Sequence, residues 1–246
     1  MGKKVKKQDV KSTANRRMEV VHKKNGIEKM VHFYNFIGTI VGFWVLLYPN
    51  PYKIVITISI IVALMGFIIM FIFNKSVEFI TQDKSRPSVG APVILNSAAI
   101  WGIAIFHSNT IYSYLFWTYF IICFAPLVLL MAVLKKINYK NIPFLIFILL
   151  SITSFSMGTI TIINHLYDNT TPAIYYTSIV KKNIYESGSK YHVKLHEIWV
   201  LPRGPLERKT KVVVSQEFYD AVYDDQRVEL CIQSGLLGIK WYYLQF

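Results

Sequence analysis

Ile54–Phe73, IVITISIIVALMGFIIMFIF, is twenty residues long and carries no charged side chain. A helix of that length rises about 30 Å, the hydrocarbon thickness of a bilayer. In lipid a helix satisfies every backbone polar group within itself, whereas in water this surface would drive association. The stretch therefore places the chain among integral membrane proteins.

Reading outward, Pro49-Asn50-Pro51 separates it from an earlier apolar run, Val31–Tyr48. On the other side, polar residues 75–86 lead to Pro87–Phe106, whose first third is weakly apolar. Leu115–Leu134, broken only by Pro126, and Ile142–Ile163 follow. A membrane helix accommodates an internal proline when neighbours satisfy the freed backbone groups. The prediction is an α-helical bundle of five transmembrane helices, at about 31–48, 54–73, 87–106, 115–134 and 142–163, within residues 31–164. Composition agrees, with 53% hydrophobic and 17% charged residues. Soluble domains carry roughly 25% charge, so an ordinary soluble globule and a disordered chain are both excluded.

Charge placement orients the bundle. Lys3, Lys4, Lys6, Lys7, Lys11, Arg16, Arg17, Lys23, Lys24 and Lys29 make residues 1–30 a basic tail. With that tail in the cytoplasm, Lys75, Lys84, Arg86, Lys135, Lys136 and Lys140 also fall inside, and Lys53 alone falls in an outer hairpin. Short loops rich in Lys and Arg stay cytoplasmic, so most of the net charge of +13 is a topology signal. The same count supports a crossing by the third run, because otherwise Lys135, Lys136 and Lys140 would lie outside. The expectation is a multi-pass protein of the cell (plasma or inner) membrane, with a cytoplasmic N-terminus and an extracytoplasmic C-terminus. Thirty mostly polar residues before the first apolar run do not read as a signal peptide, and Lys6 stands where a myristoylation signal beginning at Gly2 needs Ser or Thr. The basic tail faces anionic lipid headgroups, at about 1 kcal/mol of attraction per cation.

Residues 165–246 are nearly neutral, with ten basic and nine acidic side chains, which argues against a nucleic-acid partner. They read as short strands. Ala173–Lys182 is rich in Tyr, Ile, Val and Thr, and Glu186-Ser187-Gly188-Ser189 is a turn signal. Tyr191, Val193 and Leu195 alternate with polar residues, as do Val228, Leu230 and Ile232. Lys211–Val214 is another strand, Ser215 a helix cap before Phe218, Tyr219, Val222 and Tyr223, Asp224-Asp225-Gln226 a turn, and Leu236–Leu244 a last strand. About five strands and one short helix predict a small all-β domain, a partly open, OB-like barrel.

Asn164-His165-Leu166-Tyr167-Asp168, then Pro172, stand at the membrane exit, and Gly235-Leu236-Leu237-Gly238-Ile239-Lys240-Trp241-Tyr242 closes the tail. With Val213-Val214-Ser215 before Tyr219, these residues resemble the C-terminal module of uncharacterised bacterial multi-pass membrane proteins. In that module an N…D…P exit precedes a small β-domain ending in G-x-L-G-I-x-W-Y. The resemblance covers residues 164–246, about a third of the chain. It departs at Asp224-Asp225, where a glycine is usual. It implies the architecture and carries no activity, cofactor or site residue.

The search for chemistry returns little. No Asp, Glu, Lys or Arg lies inside the five runs, whereas proton relays and ion pathways need intramembrane ionisable groups. Asn96, His107 and His165 are the candidates for a polar cavity, set against the plainer reading of interhelical hydrogen bonds and interfacial histidines. Gly38 and Gly42, then Ser59, Ala63 and Gly66, then Ser151, Ser154, Gly158 and Thr161 form small-residue faces that let helices approach closely. Ser187 and Lys190 match a serine–lysine nucleophile pattern but sit in a turn. His192 and His196 share a strand face about 13 Å apart at 3.3 Å per residue, too far for one metal. Glu217, Asp220, Asp224 and Asp225 read as a solvated face. Cys123 and Cys231 suggest neither a disulfide nor a metal site. Trp44, Tyr48, Tyr52, Tyr112, Tyr114, Trp117 and Tyr119 mark an aromatic belt at headgroup depth. In the tail, Trp199, Tyr219, Tyr223, Trp241, Tyr242 and Tyr243 exceed what a small core can hide. No catalytic, cofactor-binding or metal-binding residue is expected. The functional expectation is a non-enzymatic membrane protein presenting an extracytoplasmic β-module to an envelope protein or surface, the alternative being a small-solute transporter or channel component.

Overall fold

A computed structural model describes the backbone of residues 2–80, 86–134, 142–186 and 194–246, and the side chains of those from residue 25 on apart from 106, 107 and 186. Five long helices, α1 (Gly2–Leu47), α2 (Tyr52–Ile72), α3 (Gly90–His107), α4 (Tyr114–Val133) and α5 (Ile142–Leu166), precede a β-rich region. Helix α1 runs through the basic stretch from Gly2. Its Lys, Arg, Gln and Met residues are good helix formers, and no proline interrupts it before Pro49. Proline disfavours helical geometry in the residue before it, and α1 ends at Leu47.

Four of these helices hold segments long and apolar enough to cross a membrane: Asn25–Leu47, Tyr52–Ile72, Tyr114–Val133 and Ile142–Leu166. Helix α3, Gly90–His107, has 18 residues, about 27 Å at 1.5 Å per residue, and its apolar side chains are described as far as Ile105.

The chain divides into two compact units, residues 1–99 with 126–155 and residues 100–125 with 156–246. In the first, small side chains set the helix spacing. A Cβ on Gly38 would press into Pro92, and one on Gly66 into Val93 and Tyr34. Tyr34 donates its hydroxyl to the Val62 carbonyl at 2.9 Å. The segment after α2 folds back onto the helices, burying Val77, Phe79 and Val89. Phe67 stacks on Phe79 at 6.3 Å and lies 5.9 Å from Phe155.

The second unit contains a nearly closed, six-stranded antiparallel, barrel-like sheet. Its strands are β1 (Asn109–Thr110), β2 (Ala173–Glu186), β3 (Lys194–Val200), β4 (Thr210–Val214), β5 (Arg227–Gln233) and β6 (Trp241–Gln245), in the order β1-β6-β5-β2-β3-β4. The curl comes from β2, which is 14 residues long. Its first half pairs with β5 and its second half with β3, with an irregularity between Ile179 and Lys181. Such a bulge bends a strand and increases its twist. Ile179, Ile198, Val212, Leu230, Tyr242 and Leu244 fill the interior, following the alternation read in β5. Helix α6 (Gln216–Ala221) is capped by Ser215, whose hydroxyl accepts from the Phe218 amide at 3.2 Å, as the sequence predicts.

Two details differ from the sequence reading. The barrel has a sixth strand, β1, contributed by the segment between α3 and α4. The last strand begins at Trp241, because residues 236–240 form a turn and an extended connection. Strand β3 is described over Lys194–Val200. The Ser187–Lys190 pattern, Tyr191, His192 and Val193 lie outside the described residues.

Candidate functional site at the exit of the last long helix

Helix α5 ends where the hydrophobic run gives way to Tyr167-Asp168-Asn169. The polar side chains of this exit turn back onto the loop that leads into β6. Asn164 is buried. Its amide nitrogen donates to the Ile239 carbonyl at 2.8 Å, and its amide oxygen accepts from the Leu237 N–H at 2.9 Å. Its backbone carbonyl accepts from the Leu236 N–H at 3.0 Å. Gly235, at φ +72°, lies so close to the Asn164 side chain that a Cβ would collide with it. Positive φ is itself strained for other residues, so two constraints select glycine here.

One turn further on, Asp168 forms the second half of the latch. One carboxylate oxygen accepts from the Gly235 N–H at 3.0 Å and from the Trp241 indole at 2.7 Å. The other accepts from the Thr170 N–H at 2.8 Å, an Asx-type turn. Burial alone would raise this carboxyl, but the hydrogen bonds from Thr170, Trp241 and Gly235 outweigh it and hold it below the ordinary aspartate value. Thr170 adds two bonds, accepting from the Gln233 side chain at 2.8 Å and the Ser234 N–H at 3.2 Å. Behind the latch, Phe116, Ile160 and Ile239 form a buried cluster with Tyr119, Met157 and Leu237 against it. The two sequence stretches that carry the resemblance, Asn164–Asp168 and Gly235–Tyr242, are thus the two faces of one contact.

The barrel is tied at a second point. Between its edge strands the Asn109 side chain substitutes for a backbone ladder, accepting from the Val213 N–H at 3.3 Å and donating to its carbonyl at 3.4 Å. The Ile111 N–H donates to the Lys240 carbonyl at 2.8 Å. Burial, with Tyr112 nearby, pushes the Tyr242 hydroxyl up to about 12.

Asn96 is fully buried in the first unit. Its amide donates to the Gly38 and Pro92 carbonyls, both at 2.8 Å, and accepts from the Ser59 hydroxyl at 2.7 Å. Both its N–H donors are used, and the residue clamps α1, α2 and α3. His165 belongs to the second unit and packs on Trp241, ring centroids 3.5 Å apart. His107 ends α3, and its side chain lies outside the described residues. Among the described residues no group of three His, Cys, Asp or Glu side chains could hold a metal. Asp168 already accepts three hydrogen bonds, which leaves it poorly suited to proton transfer. Of the tail aromatics, Tyr242 is buried in the barrel while Tyr223 is 69% exposed. Ile174 and Tyr176 also stand exposed at the start of β2.

The sequence alone does not single out Asn109, Asn164, Asp168 or Trp241 as site residues. The signal for three of them was the clustering of polar residues just past an apolar run, within the quoted motifs. Asn109 carried none, because a two-residue strand is too short to show periodicity. Comparisons of the chain with protein-family models, with curated proteins and with solved structures found no match.

Proposed function

We propose that this chain is a multi-pass protein of the bacterial cell membrane that holds a small OB-type barrel rigidly at the extracytoplasmic surface, where it engages an envelope protein. The observation that carries this reading is the latch. The β-domain follows α5 without a flexible linker and is fastened by Asn164 and Asp168 to its own closing loop. A module held at two points is suited to presenting a surface in a fixed orientation, since preorganisation lowers the entropic cost of binding. Exposed Ile174, Tyr176 and Tyr223 supply apolar area for a partner.

Five crossings fit the connectivity. Strand β1 stands between α3 and α4 in the chain and lies in the barrel. The C-terminal end of α3, the N-terminal end of α4 and the C-terminal end of α5 therefore all meet the barrel, and the basic-residue distribution puts that end outside. The strand path, in which a long bent first strand pairs with both the second and the fourth of the tail and a helix stands between the third and fourth, supports the OB-type description. The transporter alternative is weakened at Asn96, whose amide is consumed by Gly38, Pro92 and Ser59.

The test is labelling of Asp220→Cys with a membrane-impermeant thiol reagent in intact cells, in a Cys231→Ala background, together with a photo-crosslinking residue at Tyr176. Labelling before lysis and a discrete adduct to an envelope protein are expected. Labelling only after lysis overturns the orientation. External labelling with no protein adduct overturns the partner.

A further inference from the structure

We infer that the loop Ser234–Lys240 is a membrane wedge, which seats the barrel on the outer leaflet by inserting Leu236 among the lipids. The inference rests on the membrane reading above and deepens it by naming what this part of the barrel touches.

The depth of the loop follows from its hydrogen bonds. The Leu236 N–H is bonded to the carbonyl of Asn164, two residues before α5 ends at Leu166. At 1.5 Å per residue the loop backbone lies about 3 Å inside the end of that helix. A loop of a water-soluble barrel has no reason to descend alongside a membrane-spanning helix with an apolar tip. Yet Leu237 turns inward onto the cluster of Phe116, Ile160 and Ile239, while Leu236 turns outward and is 54% exposed.

The neighbourhood matches the headgroup boundary. Gly238 packs beside Leu115, in the first turn of α4, where a Cβ would stand 3.2 Å from it. Around that turn Tyr114 is 86% exposed and Trp117 47% exposed, and amphipathic rings prefer this depth. Tyr167, just past α5, is exposed as well. Ser234–Lys240 contains no acidic residue. Its one cation, exposed Lys240, closes the loop on the way to β6 and is placed to reach lipid phosphate as the leucine enters the acyl region. Interfacial protein segments combine an apolar tip with a basic flank in this way. A soluble protein partner would have to reach beside the helix end to cover Leu236; the bilayer is already there.

The experiment uses the full chain in nanodiscs, with single cysteines carrying an environment-sensitive fluorophore in a Cys123→Ala, Cys231→Ala background. Leu236→Cys is compared with Asp220→Cys on α6 and with Ile61→Cys on α2, each exposed in the structure. Brominated phospholipid is expected to remove most of the emission at positions 236 and 61 and little at 220, with aqueous iodide giving the reverse. Iodide quenching at 236 as strong as at 220, with 61 still lipid-quenched, overturns the wedge and leaves the membrane reading standing. Iodide quenching at 61 overturns both. A second variant, Leu236→p-benzoylphenylalanine in the otherwise unaltered chain, guards against misfolding of the alanine background. Irradiation in membranes is expected to add a phospholipid mass to the peptide containing position 236, and an adduct to a polypeptide instead overturns the proposal.

Discussion

Two buried asparagines, Asn96 in the helical unit and Asn164 at the exit of α5, perform similar hydrogen-bonding work in different settings. Asn96 donates to carbonyls of α1 and α3. Those carbonyls lie inside helices and already accept the intrahelical bond. Asn164 bonds the Leu237 amide and the Ile239 carbonyl, which lie in a connection outside any strand or helix. The first asparagine reinforces groups that are already satisfied, whereas the second satisfies groups that the fold leaves open. A polar residue on an apolar run therefore does not reveal its importance by burial alone; what matters is whether its partners have another bond.

That contrast is sharpest in the two deletions. Asn164→Leu strands a buried N–H and a buried carbonyl, each costing about 1–3 kcal/mol. A loss of about 3 kcal/mol in unfolding free energy is expected, read by denaturant unfolding in detergent with β-sheet circular dichroism as the probe. Gly235→Ala drives a Cβ into the Asn164 side chain at φ +72° and is expected to cost about 2–3 kcal/mol by the same measurement. Asn96→Leu removes the partner of the Ser59 hydroxyl but leaves the helix carbonyls bonded. About 1 kcal/mol is expected, in line with interhelical hydrogen bonds in membranes. A larger loss for Asn96→Leu than for Asn164→Leu would break the comparison.

Asp168 sharpens it through pH. Its carboxyl is held low in the folded protein, so its contribution is present above the unfolded value of 3.8 and is lost as pH falls through the lower folded value. The barrel of the wild-type chain is expected to lose stability below that point, while Asp168→Asn is less stable at neutral pH and lacks this component of the acid dependence. Thermal unfolding between pH 3 and 7 checks both. The smallest effect belongs to the seam. Asn109→Ala removes two long hydrogen bonds to Val213 and is expected to cost about 1 kcal/mol or less, seen most directly as faster hydrogen exchange at the Val213 amide.

Much of the helical architecture was readable because lipid-compatible helices announce themselves by length and uniform apolarity. The start of α1 was hidden, since a Lys-rich helix carries no hydrophobic period. In the tail, strands such as β5 showed the period of two that a half-buried sheet imposes, and Ser215 announced α6 through its cap. Asn109 was illegible because two residues cannot display a period and because its partner, Val213, lies 104 residues away.

By itself, then, the sequence determined the apolar helical segments and much of the strand content, both of which depend on local composition and spacing. Only the tertiary structure decided that the Asn164–Asp168 exit and the Gly235–Tyr242 ending are one latch, that β1 fills the barrel seam, and that Asn96 is a clamp. Each of these depends on pairing donors and acceptors far apart in the chain, and hydrogen-bond complementarity at long range leaves no periodic trace in a single sequence.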